Sequence, residues 1–167
     1  KIKPTFYKYY VNHIFELDDE SVTVLAEQYY VRVVTTTRTN SNGQTTTTTT
    51  YYYYYNDIIA VNYNKNGEFN WKKIIPKKQY SVNDGGFFSS YLAVKDGDNI
   101  HIIYNDGMSA VKVTLDNEGS TNKETILTFT DENKMKLVPK MCSRLDEENL
   151  FLFARSKKSR RIGKLNY

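Results

Sequence analysis

An all-β fold built from antiparallel sheets is what this sequence predicts, on three observations. Tyrosine is abundant, with 15 residues in 167, alongside many β-branched side chains, and both kinds favour pleated, half-buried surfaces. Apolar residues come in short runs, and no stretch longer than about ten residues spaces them at i, i+3, i+4 and i+7 as a helix requires. The runs are separated by clusters of Asp, Asn, Ser and Gly, whose side chains and φ freedom suit tight turns.

The elements follow in chain order. FYKYYVNHIFEL (6–17) is a first strand, closed by the acidic turn DDES. VTVLAEQYYVRVVTTTRT (22–39) and TTTTTTYYYYYNDIIAVNY (45–63) form a long hairpin about NSNG, whose Asn-Gly pair is a strong hairpin signal. A second Asn-Gly turn, NKNG, leads into EFNWKKII (68–75), and Pro76 ends that run because it cannot donate to a ladder. KKQYSVNDGG (77–86) reads as a polar linker. FFSSYLAV (87–94), NIHIIYND (99–106), SAVKVTLD (109–116) and KETILTFT (123–130) are four more strands with Gly-containing turns between them. KMKLVPKMCSRL (134–145), NLFLFARS (149–156) and RRIGKLNY (160–167) complete a third group that lacks a fourth strand.

The grouping repeats. Residues 1–76, with the long hairpin 29–56, give a first four-stranded sheet, 77–132 a second, and 133–167 a third, incomplete one with a basic last strand. Four antiparallel strands per about 40–45 residues is the pattern of propeller blades. The expectation is a partial β-propeller with a long projecting hairpin, all one domain; the alternative packing is a β-sandwich. Closing a propeller takes about four to eight blades. Together with the strand-like start at Lys1 and the lack of an initiator methionine, this suggests a processed or truncated chain, part of a larger one.

Composition narrows the function classes. Charged residues make up 25% of the chain and the net charge is +4, unevenly distributed. Residues 1–132 hold 13 basic and 16 acidic side chains, whereas 133–167 hold 10 basic and 3 acidic ones. Cys142 is the only cysteine, so an internal disulfide and a thiol-rich metal site are both excluded. No apolar run reaches the roughly eighteen residues of a membrane-spanning helix.

DIIAVNYNKNGEFNWKKIIPKKQ (57–79) followed by GGFFSSYLAVKDGDNIHIIYND (85–106) places a strand, then N-x-N-G, then a Trp-bearing strand. Over 57–167 this resembles the C-terminal blades of large β-propeller-like envelope proteins of Bacteroidota-type bacteria, and RRIGKLNY resembles their natural C-terminus. The resemblance implies an exported or surface-associated protein, in the periplasm or at the outer-membrane surface. It implies no catalytic residue, and the Thr/Tyr hairpin is not part of the shared motif.

The hairpin is the feature most open to a functional reading. With Asn42-Gly43 as a two-residue turn, paired residue numbers sum to 85, so Thr39 faces Thr46, Thr37 faces Thr48 and Arg32 lies beside Tyr53. The outer half is then a threonine ladder and the inner half pairs tyrosines with valines, each pair contributing roughly 0.2–1 kcal/mol relative to alanine. From Val33 to Asn42 the arm reaches roughly 30 Å, so its tip projects. An exposed Thr-rich edge invites another strand. Arg38, Asn42, Thr46, Thr48, Tyr51 and Tyr53 are therefore the candidate partner-binding residues, against the plainer reading of an inert exposed insertion and a minor one of sugar stacking on tyrosine.

Other constellations are weaker. His13 and His101 lie in apolar strands without metal-ligand spacing and read as structural. The acids at 18–20, 96 and 98, and 146–148 sit at equivalent turns, where Asp side chains bond their own backbone; a Ca²⁺ site shared between neighbouring turns is the alternative. Trp71 reads as the core anchor of its sheet. RSKKSRRIGK (155–164) carries six cations and no acid. Arg155, Lys157, Lys158, Arg160 and Arg161 are candidate anion contacts, set against simple protection of an edge strand; no RRM-type aromatic motif supports nucleic acid. No phosphate loop, dinucleotide fingerprint or nucleophile elbow is present. The reading is a non-enzymatic structural or protein-interaction module of a cell-envelope complex, without cofactor, metal or assigned catalytic residue, whose partners include other proteins or the missing part of its own. The alternative is a polysaccharide-binding or polysaccharide-acting propeller completed by absent blades.

Overall fold

A computed structural model describes residues 8–130 and 135–166. The start of the first expected strand at 6–7 and the expected boundary at 132–133 lie outside the described residues. Every long element is a strand. β1 (Tyr9–Glu16), β2 (Val22–Thr39), β3 (Thr45–Tyr63) and β4 (Phe69–Ile75) pair consecutively and antiparallel, and β5 (Gln79–Val82) pairs with β3 farther along the same chain. β6 (Leu92–Asp96), β7 (Asn99–Asp106), β8 (Ser109–Leu115) and β9 (Thr121–Thr128) form a second antiparallel meander. In the third sheet β10 (Lys136–Leu137) and β11 (Ser143–Arg144) pair successive stretches of β12 (Asn149–Arg155), and β13 (Arg160–Asn166) pairs β12 over its whole length. The expected strand at 134–145 is thus interrupted, because Pro139 starts a single 3-10 turn, Pro139–Met141.

The sheets stack in chain order. Leu25, Ile58, Ala60 and Ile75 of the first sheet meet Ile100, Ile102, Tyr104, Val111 and Val113 of the second. The opposite face of the second sheet, with Val94, Ile103 and Ala110, meets Leu137, Leu150, Leu152 and Ala154 of the third. The middle sheet is therefore covered on both faces, which explains why β7 reads as a nearly continuous apolar run rather than an alternating one. The fold is all-β, with several stacked antiparallel sheets, and no closed barrel or propeller forms among the described residues.

Trp71 fastens the first sheet to the second. Its indole Nε1 donates to Asn117 O at 2.7 Å and its ring lies so close to Gly119 that a Cβ there would sit 2.8 Å from Cδ2. The acidic turns also meet side by side, since Asp98 Oδ1 accepts the Asp18 N–H, Lys95 pairs Asp18 at 2.6 Å, and Arg144 donates to Lys95 O.

Three readings of the sequence need correction. The strand expected at 87–94 begins only at Leu92, because 85–88 is a turn in which the Phe87 N–H donates to Asp84 O and the Ser89 N–H to Gly86 O. The segment 77–86 is not all linker, because β5 lies within it and extends the first sheet. The long hairpin is not closed by a two-residue turn. Asn40 and Gln44 are the last backbone pair, Gly43 (φ +76) sits in the left-handed region, and Gly43 N–H donates to Asn40 O, the geometry of a three-residue loop with a Gly bulge. The Asn40 side chain fixes it, Oδ1 accepting from the backbone N–H of both Asn42 and Gln44. Asn64 and Asp116 build the same loop. Pairing in the ribbon is consequently one residue away from expectation: Thr39 faces Thr45, Thr37 faces Thr47, and Arg32 faces Tyr52. A bulge between Glu27 and Tyr29 absorbs the residue, so from Glu27–Ile58 inward the expected register is restored.

Candidate functional site

The ribbon is set up by strand lengths. β1 accompanies β2 only as far as Gln28, and β5 accompanies β3 only from Tyr52 to Tyr55. Asn83 stops that ladder, since its Oδ1 takes the Tyr51 N–H at 2.8 Å. Beyond these points no other described strand pairs with β2 or β3. Val34 to Thr39 is five steps of about 3.4 Å, so a two-stranded arm of roughly 17 Å extends with neither edge paired among the described residues.

Alternation gives the arm two different faces. On one, Thr35, Thr37 and Thr39 meet Thr49, Thr47 and Thr45 with Oγ1–Oγ1 separations of 3.3, 3.2 and 3.1 Å, and Val33–Tyr51 and Val31–Tyr53 carry this face down to Tyr29–Tyr55. On the other, Thr36, Arg38, Thr46 and Thr48 line a shallow groove at the outer end. Toward the sheet this second face becomes aromatic. Tyr30 and Tyr54 stack at 4.6 Å, Tyr80 of β5 lies 5.1 Å from Tyr54 and 6.0 Å from Tyr52, and Lys8 Nζ sits 4.8 Å above the Tyr30 ring. Tyr80 is 53% exposed. The expected residues therefore divide: Arg38, Thr46 and Thr48 share one face, Tyr51 and Tyr53 point to the other, and Asn42 stands in the end loop. The tyrosines that do share the Arg38 face are Tyr30, Tyr52, Tyr54 and Tyr80. Strict alternation along YYYYY was the signal for Tyr52 and Tyr54; Tyr80 was hidden in a segment read as linker.

The root of the arm is held by a buried polar network. Lys77 Nζ lies 2.6 Å from Glu27 Oε1, with the two side chains 0% and 2% exposed. The same ammonium donates to Tyr55 O and Gln79 Oε1, and Glu27 Oε2 accepts from Ser90 Oγ at 2.7 Å. Gln79 continues to Asn105 O, and Asn105 is bonded both ways to the Leu137 backbone of the third sheet. Burial pulls the Lys77 ammonium below the ordinary lysine range, with the Glu27 charge working against that. Tyr91 is raised far above the usual phenol range by burial and by Glu27. A carboxylate and an amine this close resemble an acid–base pair, but both are sealed from solvent, so the pair positions strands. Tyr55 finishes the root: its ring packs on Gly86 and its hydroxyl accepts from Lys140 Nζ at 3.2 Å.

The basic segment is not one surface either. Arg155 is half-buried with its guanidinium 5.4 Å from the Phe87 ring. Lys157 and Lys158 are exposed in the β12–β13 turn, which Ser156 Oγ closes by accepting from the N–H groups of Lys158 and Ser159. Arg160 faces Arg155, whereas Arg161 faces Ala154 on the opposite side of the sheet. His13 stacks on Phe15 at 5.7 Å, and His101 Nδ1 lies 3.1 Å from Thr114 Oγ1; burial lowers the affinity of both rings for a proton. Among the described residues no three His, Cys, Asp or Glu side chains converge as a metal cage requires.

One surface was not anticipated. The side of the first sheet turned away from the second carries an apolar stretch beside Glu16 and Lys72: Ile14 (66% exposed), Phe69 (60%) and Ile74 (48%) stand with Val24, Val61 and Ile59. Compared with known protein families, curated proteins and solved structures, the chain matches none.

Proposed function

We propose that this chain is a non-enzymatic interaction module that works inside a larger assembly, with the projecting arm as its contact. One observation carries the reading: a roughly 17 Å ribbon, neither edge of which is paired among the described residues, stands on a root held by a buried ion pair and its hydrogen bonds. Open edges supply main-chain donors and acceptors to another strand, and the Arg38 groove and tyrosine rack supply side-chain selectivity. The apolar stretch on the outer side of the first sheet supports membership of a larger body, because exposed contiguous apolar patches mark interaction sites. Stacked four-stranded meanders with matching turns support the blade-like reading, and the resemblance over 57–167 makes a bacterial envelope the proposed setting.

The test is to join Val34 directly to Thr50, already paired, through Asn-Gly, removing the outer arm without touching its root. A photo-crosslinking residue in place of Thr48 should capture a defined envelope protein, and one in place of Glu118 should not. Complexes that persist unchanged in the shortened chain would sink the proposal. A second reading, contact with polysaccharide, is favoured by the half-exposed rack Tyr52–Tyr54–Tyr80. It requires glycan binding that Tyr80→Ala weakens and that removal of the Thr-rich tip leaves intact.

A further inference from the structure

The first two sheets each have a four-stranded meander, whereas the third has β10 and β11 on one side of β12, β13 on the other, and no further strand among the described residues. What a fourth strand does is visible elsewhere in the molecule. β4 closes the corner between the first and second sheets by laying Trp71 against Gly119 and Asn117. β9 contributes Ile126 to the core beneath the third sheet. Beneath the β13 side of the third sheet there is an open apolar cleft of about 300 Å³, between Leu127 and Phe129 on one side and Leu137, Leu152, Gly163 and Leu165 on the other. Gly163 lies between Arg161 and Leu165 in this wall, and a Cβ built on it meets nothing within 4 Å. The wall is therefore notched at the position where an incoming side chain would sit.

Charge selects the guest. β13 presents Arg160, Arg161 and Lys164 and no acid. Pairing with a second copy of β13 would set cations against cations, which is how natural edges avoid self-pairing. The same cations favour a strand with acids at alternate positions. Residues 1–7, with Lys1 and Lys3 and no acid, do not fit that description.

We propose that the edge of β13 left unpaired among the described residues accepts one extended strand from an acidic partner chain, which completes the third sheet and lays an apolar side chain over Gly163. The guest runs along β13, its acids flank Arg160 and Lys164 on the outer face, and its alternate apolar residues enter the cleft. This site is separate from the arm and does not depend on the function proposed for it.

The probe is a synthetic heptapeptide alternating Glu with Val, Phe and Val, titrated into the full chain by calorimetry. Controls carry Lys in place of Glu, proline at the centre, or the same composition with the apolar residues clustered. Binding of the acidic alternating peptide at least tenfold tighter than all three controls is expected. Gly163→Phe fills the notch from within, its backbone needing no positive φ, and should weaken binding tenfold or more with circular dichroism unchanged. Equal binding of the proline or clustered peptide would reduce the effect to charge alone and overturn the proposal, as would no binding or undiminished binding to Gly163→Phe. A dimer of the free chain that Gly163→Phe dissociates would also overturn it, by making a second copy the occupant.

Discussion

Lys77→Met is the substitution whose cost the structure sets most directly. Methionine keeps most of the side-chain length and apolar volume but removes the ammonium 2.6 Å from Glu27 Oε1. With its side chain 2% exposed, Glu27 then has an uncompensated charge and keeps only the Ser90 hydroxyl on its other oxygen. Breaking a buried pair from one side costs about 3–5 kcal/mol. Against a total stability of about 5–15 kcal/mol that is about a fifth of it at the least. At roughly 2–4 °C per kcal/mol for a chain of this size, Tm should fall by about 6–20 °C. Chemical denaturation followed by the fluorescence of Trp71, which reports the contact between the first two sheets, gives the free energy, and calorimetry gives Tm. The double variant Glu27→Leu with Lys77→Met removes both charges and should recover most of the loss, because hydrophobic replacement of a buried pair is often neutral or stabilising. A loss below about 1 kcal/mol for the single variant would refute the reasoning, because pairs in contact with water have that value.

Three further outcomes follow from the geometry. Gly86→Ala should destabilise by about 1–3 kcal/mol in the same denaturation assay, because φ is +68° and a Cβ there runs into the Tyr55 ring. His13 and His101 titrate below their unfolded value because burial disfavours the charged ring. The unfolded chain therefore binds more protons, so the stability they contribute is complete above about pH 6.5 and is lost as pH falls from there through the folded values; His101→Gln should flatten that slope in a pH series of melts. Asn40→Ala removes the acceptor for the Asn42 and Gln44 amides, and these should exchange with deuterium faster while the Ile58 and Ala60 amides stay protected.

Much of the fold was legible because strand and turn chemistry are local. The three meanders, the arm and the anchoring of Trp71 all follow from alternation and turn residues. What was misread depended on information of another kind. The Asn-Gly pair of N-S-N-G by itself points to a two-residue turn, while the residue that decides is Asn40, whose side-chain oxygen accepts from two amides. β5 looked like linker because its partner, the Tyr52–Tyr55 stretch, is distant in sequence. Glu27 and Lys77 gave no warning, as nothing in the chain says that two charges fifty residues apart will be buried together. The candidate contact residues all lie on the arm but on both of its faces, although alternation along β3 already separates Thr46 and Thr48 from Tyr51 and Tyr53.

The low-complexity run becomes intelligible from where its register is fixed. A slip by two along TTTTTT replaces threonine pairs with threonine pairs and costs almost nothing in side-chain contacts. At the outer end a slip would take Asn40 out of its loop and deprive two amides of their acceptor, at about 1 kcal/mol or more each. At the inner end it would move Tyr55 from Gly86 and Lys140, and Ile58 from its core position. Two specific ends thus hold an unspecific middle, and the middle is free to consist of one residue type as long as it is β-branched and even in number between the anchors. Removing a single threonine from 45–50 would put the Asn40 loop and the Tyr55 root one residue out of phase, so that one of the two anchors must yield, whereas removing Thr36 and Thr37 together with Thr47 and Thr48 should shorten the arm and leave the sheet intact. A melting comparison of these two deletions separates the cases: the first is expected to lose several degrees of Tm, the second about none. Equal losses would mean that the ends do not set the register.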